Sequence, residues 1–308
     1  MRPATIAPVV IVDGDSVHGH YVAALLEAAG IETRIVDTIE EAERLARSSS
    51  ATIMRDPDRP AVTSDVDAMV AQRRTDLADV IEQRAFHPVF QPMVALYKSE
   101  VVGYEALTRF EDGTPPDHRF SDAGLLGLGA ELELATIAAA VRAARRLPAG
   151  KFVSLNVSPE LLIDHRDELE AALDDLHHER PVVLEITEHD VVHDYESLLV
   201  GLHRFDPKVK LSVDDAGAGF ATLRHVVMLE PEYVKLDRSW VTDIHVDPTR
   251  QALVAGLSYF ARTTGCELVA EGIESEEERE MLTSLDVSLG QGFLLGAPGE
   301  EQDRPADR

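Results

Sequence analysis

KLSVDD, residues 210–215, is an apolar run that closes on two adjacent carboxylates, Asp214 and Asp215, and it is one of a series. Upstream, VVGYE (101–105) closes on Glu105, FVSLN (152–156) on Asn156 and VVLE (182–185) on Glu185. Downstream, YVK (233–235) closes on Lys235, LVAE (268–271) on Glu271 and DVSLGQ (286–291) on Gln291. Seven strand-like runs in succession thus each deliver a polar residue at the C-terminal end. Amphipathic helix-like segments alternate with them. The 130–147 segment is the clearest: alanine and leucine favour helix, arginines sit near its C-terminal end, and Pro148 stops it. From about residue 85 to 298 this alternation argues for an α/β fold with mostly parallel strands.

In a (β/α)8 barrel the C-terminal strand ends meet on one face, and that face carries the active site. Four or five carboxylates converging there repel one another unless cations neutralise them. A set of carboxylates and an amide, without Cys or His, suits Mg2+ or Mn2+ better than zinc. The adjacent pair Asp214 and Asp215 is well placed to serve two neighbouring ions. Two metals beside a lysine suit hydrolysis of a phosphodiester. Capping of a strand or helix explains any one of these residues; it does not explain seven in register.

The bulk composition is compatible. The chain has 308 residues, 44% hydrophobic and 28% charged, with 29 basic against 56 acidic residues and a formal charge of −27. Such a field disfavours nucleic acid polymers and anionic membranes as main partners, but not a small nucleotide held through metal ions. One cysteine, Cys266, excludes an intrachain disulfide. No apolar run approaches the roughly 18–20 residues of a membrane span, and no signal-peptide pattern opens the chain, so a cytoplasmic location is the expectation.

The first 55 or so residues read as β-α-β-α-β, with strands at 8–12, 31–37 and 51–54 and helices at 17–29 and 38–47. A helix over 64–84 connects this segment to the expected barrel. The expected organisation is a small α/β segment (1–60), a linker helix (61–84), the barrel (85–298) and a charged, disordered tail (299–308). Asp13, Asp15 and Asp56 at strand ends, with Pro60 four residues after Asp56, make the opening resemble the first half of a response-regulator receiver domain. The remaining receiver strands have no room before the barrel, so the segment reads as a truncated remnant. It is also a candidate surface for a signalling partner, because half a receiver leaves an open sheet edge.

FQPM (90–93), EALTR (105–109), SLNVS (154–158), LEITE (184–188), DDAGAGF (214–220), VKLDR (234–238), AEGIE (270–274) and QGFLLGAP (291–298) together resemble the EAL-domain cyclic di-GMP phosphodiesterases, in order and spacing. The resemblance implies a TIM-like barrel whose first strand is antiparallel, and a homodimer. It implies that Glu105, Asn156, Glu185 and Asp214 ligate one metal, with Asp214 bridging to a second that Asp215 and Glu271 complete. Lys235 would orient the attacking water, and Glu274 and Gln291 would support that water and the metal shell. Gln91, Leu107 and Arg109 would face the dinucleotide, with Arg109 near phosphate, and Glu188 would hold the loop after Asp215. The reaction would open cyclic di-GMP to linear pGpG.

The family's loop Asp-Phe-Gly-Thr-Gly-Tyr-Ser-Ser is here Asp215-Ala216-Gly217-Ala218-Gly219-Phe220-Ala221-Thr222. Both glycines and one aromatic residue remain, but a large side chain and two hydroxyls are gone. This departure motivates the alternative of a weak or inactive cyclic di-GMP receptor or scaffold. The histidines, His177 and His178 among them, lie outside the matched ligand positions; surface or loop roles and no histidine-based metal site are expected.

Overall fold

The computed structural model describes residues 9–12, 33–36, 41–42, 44–45, 52–55, 63–186, 195–202, 204–216 and 226–299. It divides into two compact units, Met1–Asp79 and Val80–Arg308.

In the first unit, β1 (Val9–Val12), β2 (Thr33–Val36) and β3 (Thr52–Arg55) form a parallel sheet of order β2-β1-β3. That is how a doubly wound 2-1-3-4-5 sheet begins. Val10 and Val36 are buried with Ala42, so one face of this small sheet has an apolar cover. Asp13, Asp15 and Asp56 lie outside the described residues. Helix α1 (Thr63–Gln83) comes after β3.

The second unit is a closed eight-stranded barrel. Its strands are β4 (Phe86–Ala95), β5 (Glu100–Phe110), β6 (Phe152–Asn156), β7 (Val182–Ile186), β8 (Val209–Ala216), β9 (Tyr233–Leu236), β10 (Glu267–Ala270) and β11 (Leu289–Gly290). Every neighbouring pair is parallel except those made by β4, which runs antiparallel to both β5 and β11. The cause is local. Only Leu96–Ser99 join β4 to β5, and so short a connection can turn the chain back but cannot make a parallel crossover. Gly299 exchanges backbone hydrogen bonds with Phe90 of β4, so the residue with which the expected tail begins is tied to the barrel.

Period-2 alternation sorts the strand residues into two layers. Val153, Leu155, Leu184, Leu211, Val213, Val234, Leu236 and Leu268 face outward into the core shared with the surrounding helices, where they meet Ile137, Val141, Leu161 and Leu173. The inward set is Met93, Phe152, Val183, Tyr233, Val269 and Leu289, a separate apolar cluster plugging the barrel. The Phe152 and Tyr233 rings lie 5.6 Å apart in it. Phe152 uses space that a side chain on β5 would need: a Cβ on Gly103 would sit 2.4 Å from its ring. The next inward position on each strand is two residues further on, and that is where the polar series falls.

Candidate active site

Phe152, Val183, Tyr233, Val269 and Leu289 of the plug are succeeded two residues later on their strands by Ser154, Glu185, Lys235, Glu271 and Gln291. Asn156 stands two residues beyond Ser154, Asp214 two beyond Ser212, and Glu105 two beyond Gly103. Strand β4 runs the other way, so its matching residue, Gln91, comes two before Met93. The plug thus fixes the floor, and the same alternation that hides it turns the polar residues into the mouth above.

Lys235 is the centre, with only 1% of its surface exposed. Its Nζ donates to Glu271 Oε1 at 2.7 Å, Glu185 Oε2 at 3.0 Å and Asp214 Oδ2 at 3.1 Å, and lies 3.5 Å from Glu105 Oε1. One ammonium therefore faces four carboxylates. Burial pushes the Lys235 pKa down, but the carboxylates of Glu105, Glu185, Glu271 and Asp214 outweigh it and hold the group well above its ordinary range. Lys235 is therefore a fixed cation and hydrogen-bond donor. Burial pushes Glu185 well up despite Lys235, reinforced by Glu105 and Asp214. Burial, then the charges of Asp214 and Glu105, pushes Glu271 up to about 8.

The amides form a second arc. Gln291 Nε2 donates to Glu105 Oε2 at 2.6 Å and to Gln91 Oε1 at 2.9 Å, and Gln91 Nε2 donates to the Gly296 carbonyl at 3.1 Å. Asn156 Nδ2 donates to Glu105 Oε1 at 3.3 Å. Barrel closure makes this possible, since β4 lies between β5 and β11. The turn after Gln291 needs glycine: Gly292 has φ 156°, and a Cβ there would sit 2.2 Å from the Ile273 backbone.

The chemistry of this donor set fits divalent cations. Oxygens of Glu105, Glu185 and Asp214 all lie within 4.8 Å of one another. Gln291 is 4% exposed, and its Oε1 has no hydrogen-bond partner among the described residues. The hydroxyls of Ser154 and Ser212, on the inward positions below Asn156 and Asp214, are likewise buried without one. Ordered water ordinarily resolves such groups.

Glu105 was expected to end its strand, but β5 continues to Phe110, paired with β4 throughout. Leu107 and Arg109 therefore come next on the same strand face, half-buried, with Arg109 roughly 13 Å further along. The Asp214–Asp215 pair coincides with a register irregularity between Val213 and Ala216, the kind of local break that re-aims side chains at strand ends. Glu274 does not join the carboxylates around Lys235: it is exposed, and its carboxylate bonds Arg238 at 2.7 Å. Glu188, residues 217–222 and the side chain of Asp215 lie outside the described part of the structure. Sequence reasoning missed Glu133, which accepts from the Ser158 N–H at 2.5 Å and its hydroxyl at 2.7 Å and so anchors the loop beyond Asn156. It also missed Glu278, which accepts from the backbone of Asp243, Glu274 and Ser275 and clamps the segment after Glu271. The Glu278 capping box was visible as Ser275-Glu276-Glu277-Glu278; nothing local marked Glu133.

A family model for the EAL domain matches residues 74–298. The chain belongs to the EAL domain family. Among curated relatives of this EAL domain, the bifunctional diguanylate cyclase/cyclic di-GMP phosphodiesterase MucR of Pseudomonas aeruginosa is 29% identical over 242 residues, 72% of this chain and 34% of MucR. The cyclic di-GMP phosphodiesterase RocR of the same species is 30% identical over 240 residues, 73% of this chain and 61% of RocR. The chain thus spans less than two thirds of the length of either. Among solved structures, the MucR phosphodiesterase in complex with c-di-GMP is 30% identical, with a TM-score of 0.64 over 74% of this chain and 97% of that one. The calcium/cy-diGMP complex of Klebsiella pneumoniae BlrP1 is 28% identical, with a TM-score of 0.64 over 89% of this chain and 75% of that one.

The carboxylate crowding in this EAL domain has a consequence for stability. Glu271 has a folded pKa of about 8 against an ordinary value near 4.5, and Glu185 is raised too. Between those limits the metal-free folded chain holds protons that the unfolded chain has released, so stability falls as pH rises from about 4.5 to 8. Lys235 acts only above its own ordinary range, outside this window. A divalent cation bound among these carboxylates would supply the missing counter-charge. Thermal midpoints in EDTA should therefore decline from pH 5 to 8, and added Mg2+ should raise them most at the upper end. A flat profile in EDTA would contradict the electrostatic account.

Proposed function

We propose that this EAL domain hydrolyses cyclic di-GMP to linear pGpG at the barrel mouth with two Mg2+ or Mn2+ ions. The observation that carries the reading is the convergence of Glu105, Glu185, Asp214 and Glu271 on the buried Lys235. Glu105, Asn156, Glu185 and Asp214 would hold one ion, and Asp214, Asp215 and Glu271 the other. When bound, the ions would activate a water molecule and stabilise charge developing on the phosphate.

The chain's own residues do the rest. Lys235 would stay an ammonium, and where bound ions took over a carboxylate that it now serves, the N–H so released would position the incoming water rather than deprotonate it. Gln291 holds Glu105 and Gln91 in place through its amide N–H groups and leaves Oε1 to accept from that water. Arg109 lies further along β5, and its planar fork suits phosphate oxygens; Leu107 and Gln91 line the same strand pair. Net, the water hydroxyl joins phosphorus, the P–O bond to a ribose 3′ oxygen breaks, and a proton ends on that oxygen. With the structure pairing Glu274 to Arg238, its proposed part is to hold the segment after Glu271, not to touch water.

The same reading makes the cytoplasm the place of action and a homodimer the assembly, which light scattering would check. Among the described residues no helix is long and apolar enough to cross a membrane. Purified protein incubated with cyclic di-GMP and Mn2+ or Mg2+ should release pGpG, and EDTA should stop it. Tight nucleotide binding without turnover would replace this reading with the receptor, which the alanines at 216, 218 and 221 make the specific rival.

A further inference from the structure

A second group of ligand atoms gathers far from the barrel mouth. Asp174, His177 and His178 stand at i, i+3 and i+4 on helix α2 (Arg166–His177) and its C-terminal cap, and their ligand atoms all lie within 4.8 Å of one another. This helix runs into β7, so the group sits at the N-terminal rim of the barrel, opposite the carboxylates. The histidines were expected to fill surface or loop roles. The structure instead buries His177 and aims it, with His178, at a shared carboxylate.

We propose that Asp174, His177 and His178 form a binding site for a transition-metal dication, Zn2+ foremost. His177 Nδ1 lies 3.1 Å from the Leu173 carbonyl. A carbonyl can only accept, so the Nδ1 proton points there and the Nε2 lone pair is left for a metal. That arrangement, a backbone carbonyl behind the imidazole, is how metal-bound histidines are oriented. Asp174 Oδ1 lies 3.9 Å from His177 Nε2 and 3.5 Å from His178 Nε2. Both are longer than an ordinary N–H···O bond; the 3.5 Å separation matches the roughly 3.3–3.5 Å between two ligand atoms on tetrahedral zinc, and the longer one closes to it with a small rotation of the exposed Asp174 side chain. The two rings pack 4.1 Å apart, which holds the pair together. His177 is 9% exposed, whereas Asp174 and His178 are 69% and 65% exposed, so the site has one rigid ligand and open access from solvent. Attraction between histidine and the helix C-terminus explains why such residues occur there; it does not explain two Nε2 atoms converging on one carboxylate oxygen. Two imidazoles and one carboxylate, with a position left for water, select zinc-like ions over Mg2+. The chain's net charge of −27 favours cations near its surface in general.

This proposal is independent of the hydrolase reading. The test is Zn2+ titration of the full chain in excess Mg2+, with bound zinc counted against a chelating dye and the thermal midpoint followed. Asp174→Ala and His178→Ala, both exposed positions, serve as controls whose midpoint without zinc should match wild type. Wild type should bind one more equivalent than either variant, the variants losing roughly 100-fold or more in affinity. Its midpoint should rise by about 5 °C at 100 times the dissociation constant, and theirs should not. Co2+ in place of zinc should give tetrahedral absorption in wild type alone. Equal stoichiometry and equal shifts in wild type and both variants would overturn the proposal.

Discussion

Lys235→Met should lower the proposed hydrolysis by two to three orders of magnitude and lower the stability of the metal-free protein by about 3–5 kcal/mol, the cost of leaving buried charges without their partner. Lys235 is fully buried and is the counter-ion that the structure places among Glu105, Glu185, Asp214 and Glu271. Methionine fills a similar volume, so the loss reflects charge and not a cavity. Loss of a positioned donor lowers kcat by about 10²–10³. Urea denaturation in EDTA and then in Mn2+ separates the two roles. Mn2+ should restore much of the stability, because it supplies positive charge to the same oxygens. It should restore none of the rate, because the donor proposed to position water would still be gone. An unchanged urea midpoint in EDTA would show that the carboxylates do not depend on Lys235.

Glu105→Gln carries effects of opposite sign. Removing one of four carboxylates around a single ammonium relieves repulsion, so the metal-free protein gains on the order of 1 kcal/mol. An amide keeps the shape, and Gln291 Nε2 can still donate to its oxygen in place of Glu105 Oε2, but its NH2 then stands where Oε1 faced the Asn156 Nδ2 and Lys235 Nζ donors, which offsets part of that gain. The proposed metal site, however, would lose a charged ligand. If a bound ion supplies about 4 kcal/mol of transition-state stabilisation, turnover falls roughly 10³-fold. The thermal midpoint should rise in EDTA and fall below wild type in saturating Mn2+. A variant that stays as active as wild type in Mn2+ would remove Glu105 from the metal set.

Much of this site was legible in the chain before folding. Strand periodicity is local, so a run such as FVSLN announces which residues share a face, and the type of residue at its end announces oxygen chemistry suited to hard cations. The helix spacing of Asp174, His177 and His178 was equally visible, but a helix pattern does not say that one of the rings is buried, and that is what orients the group.

The sequence by itself determined the strand–helix alternation, the inward parity of Asn156, Glu185, Asp214, Lys235, Glu271 and Gln291, and the family. The tertiary structure alone decided that β5 carries Glu105 mid-strand, that Gln91 and Gln291 meet over it, that Glu274 turns to Arg238, and that Glu133 braces the loop beyond Asn156. The reason is physical: alternation is set by each residue's own backbone, whereas strand stagger and closure are properties of the whole ring, which bring together residues such as Gln91 and Gln291 that lie 200 positions apart.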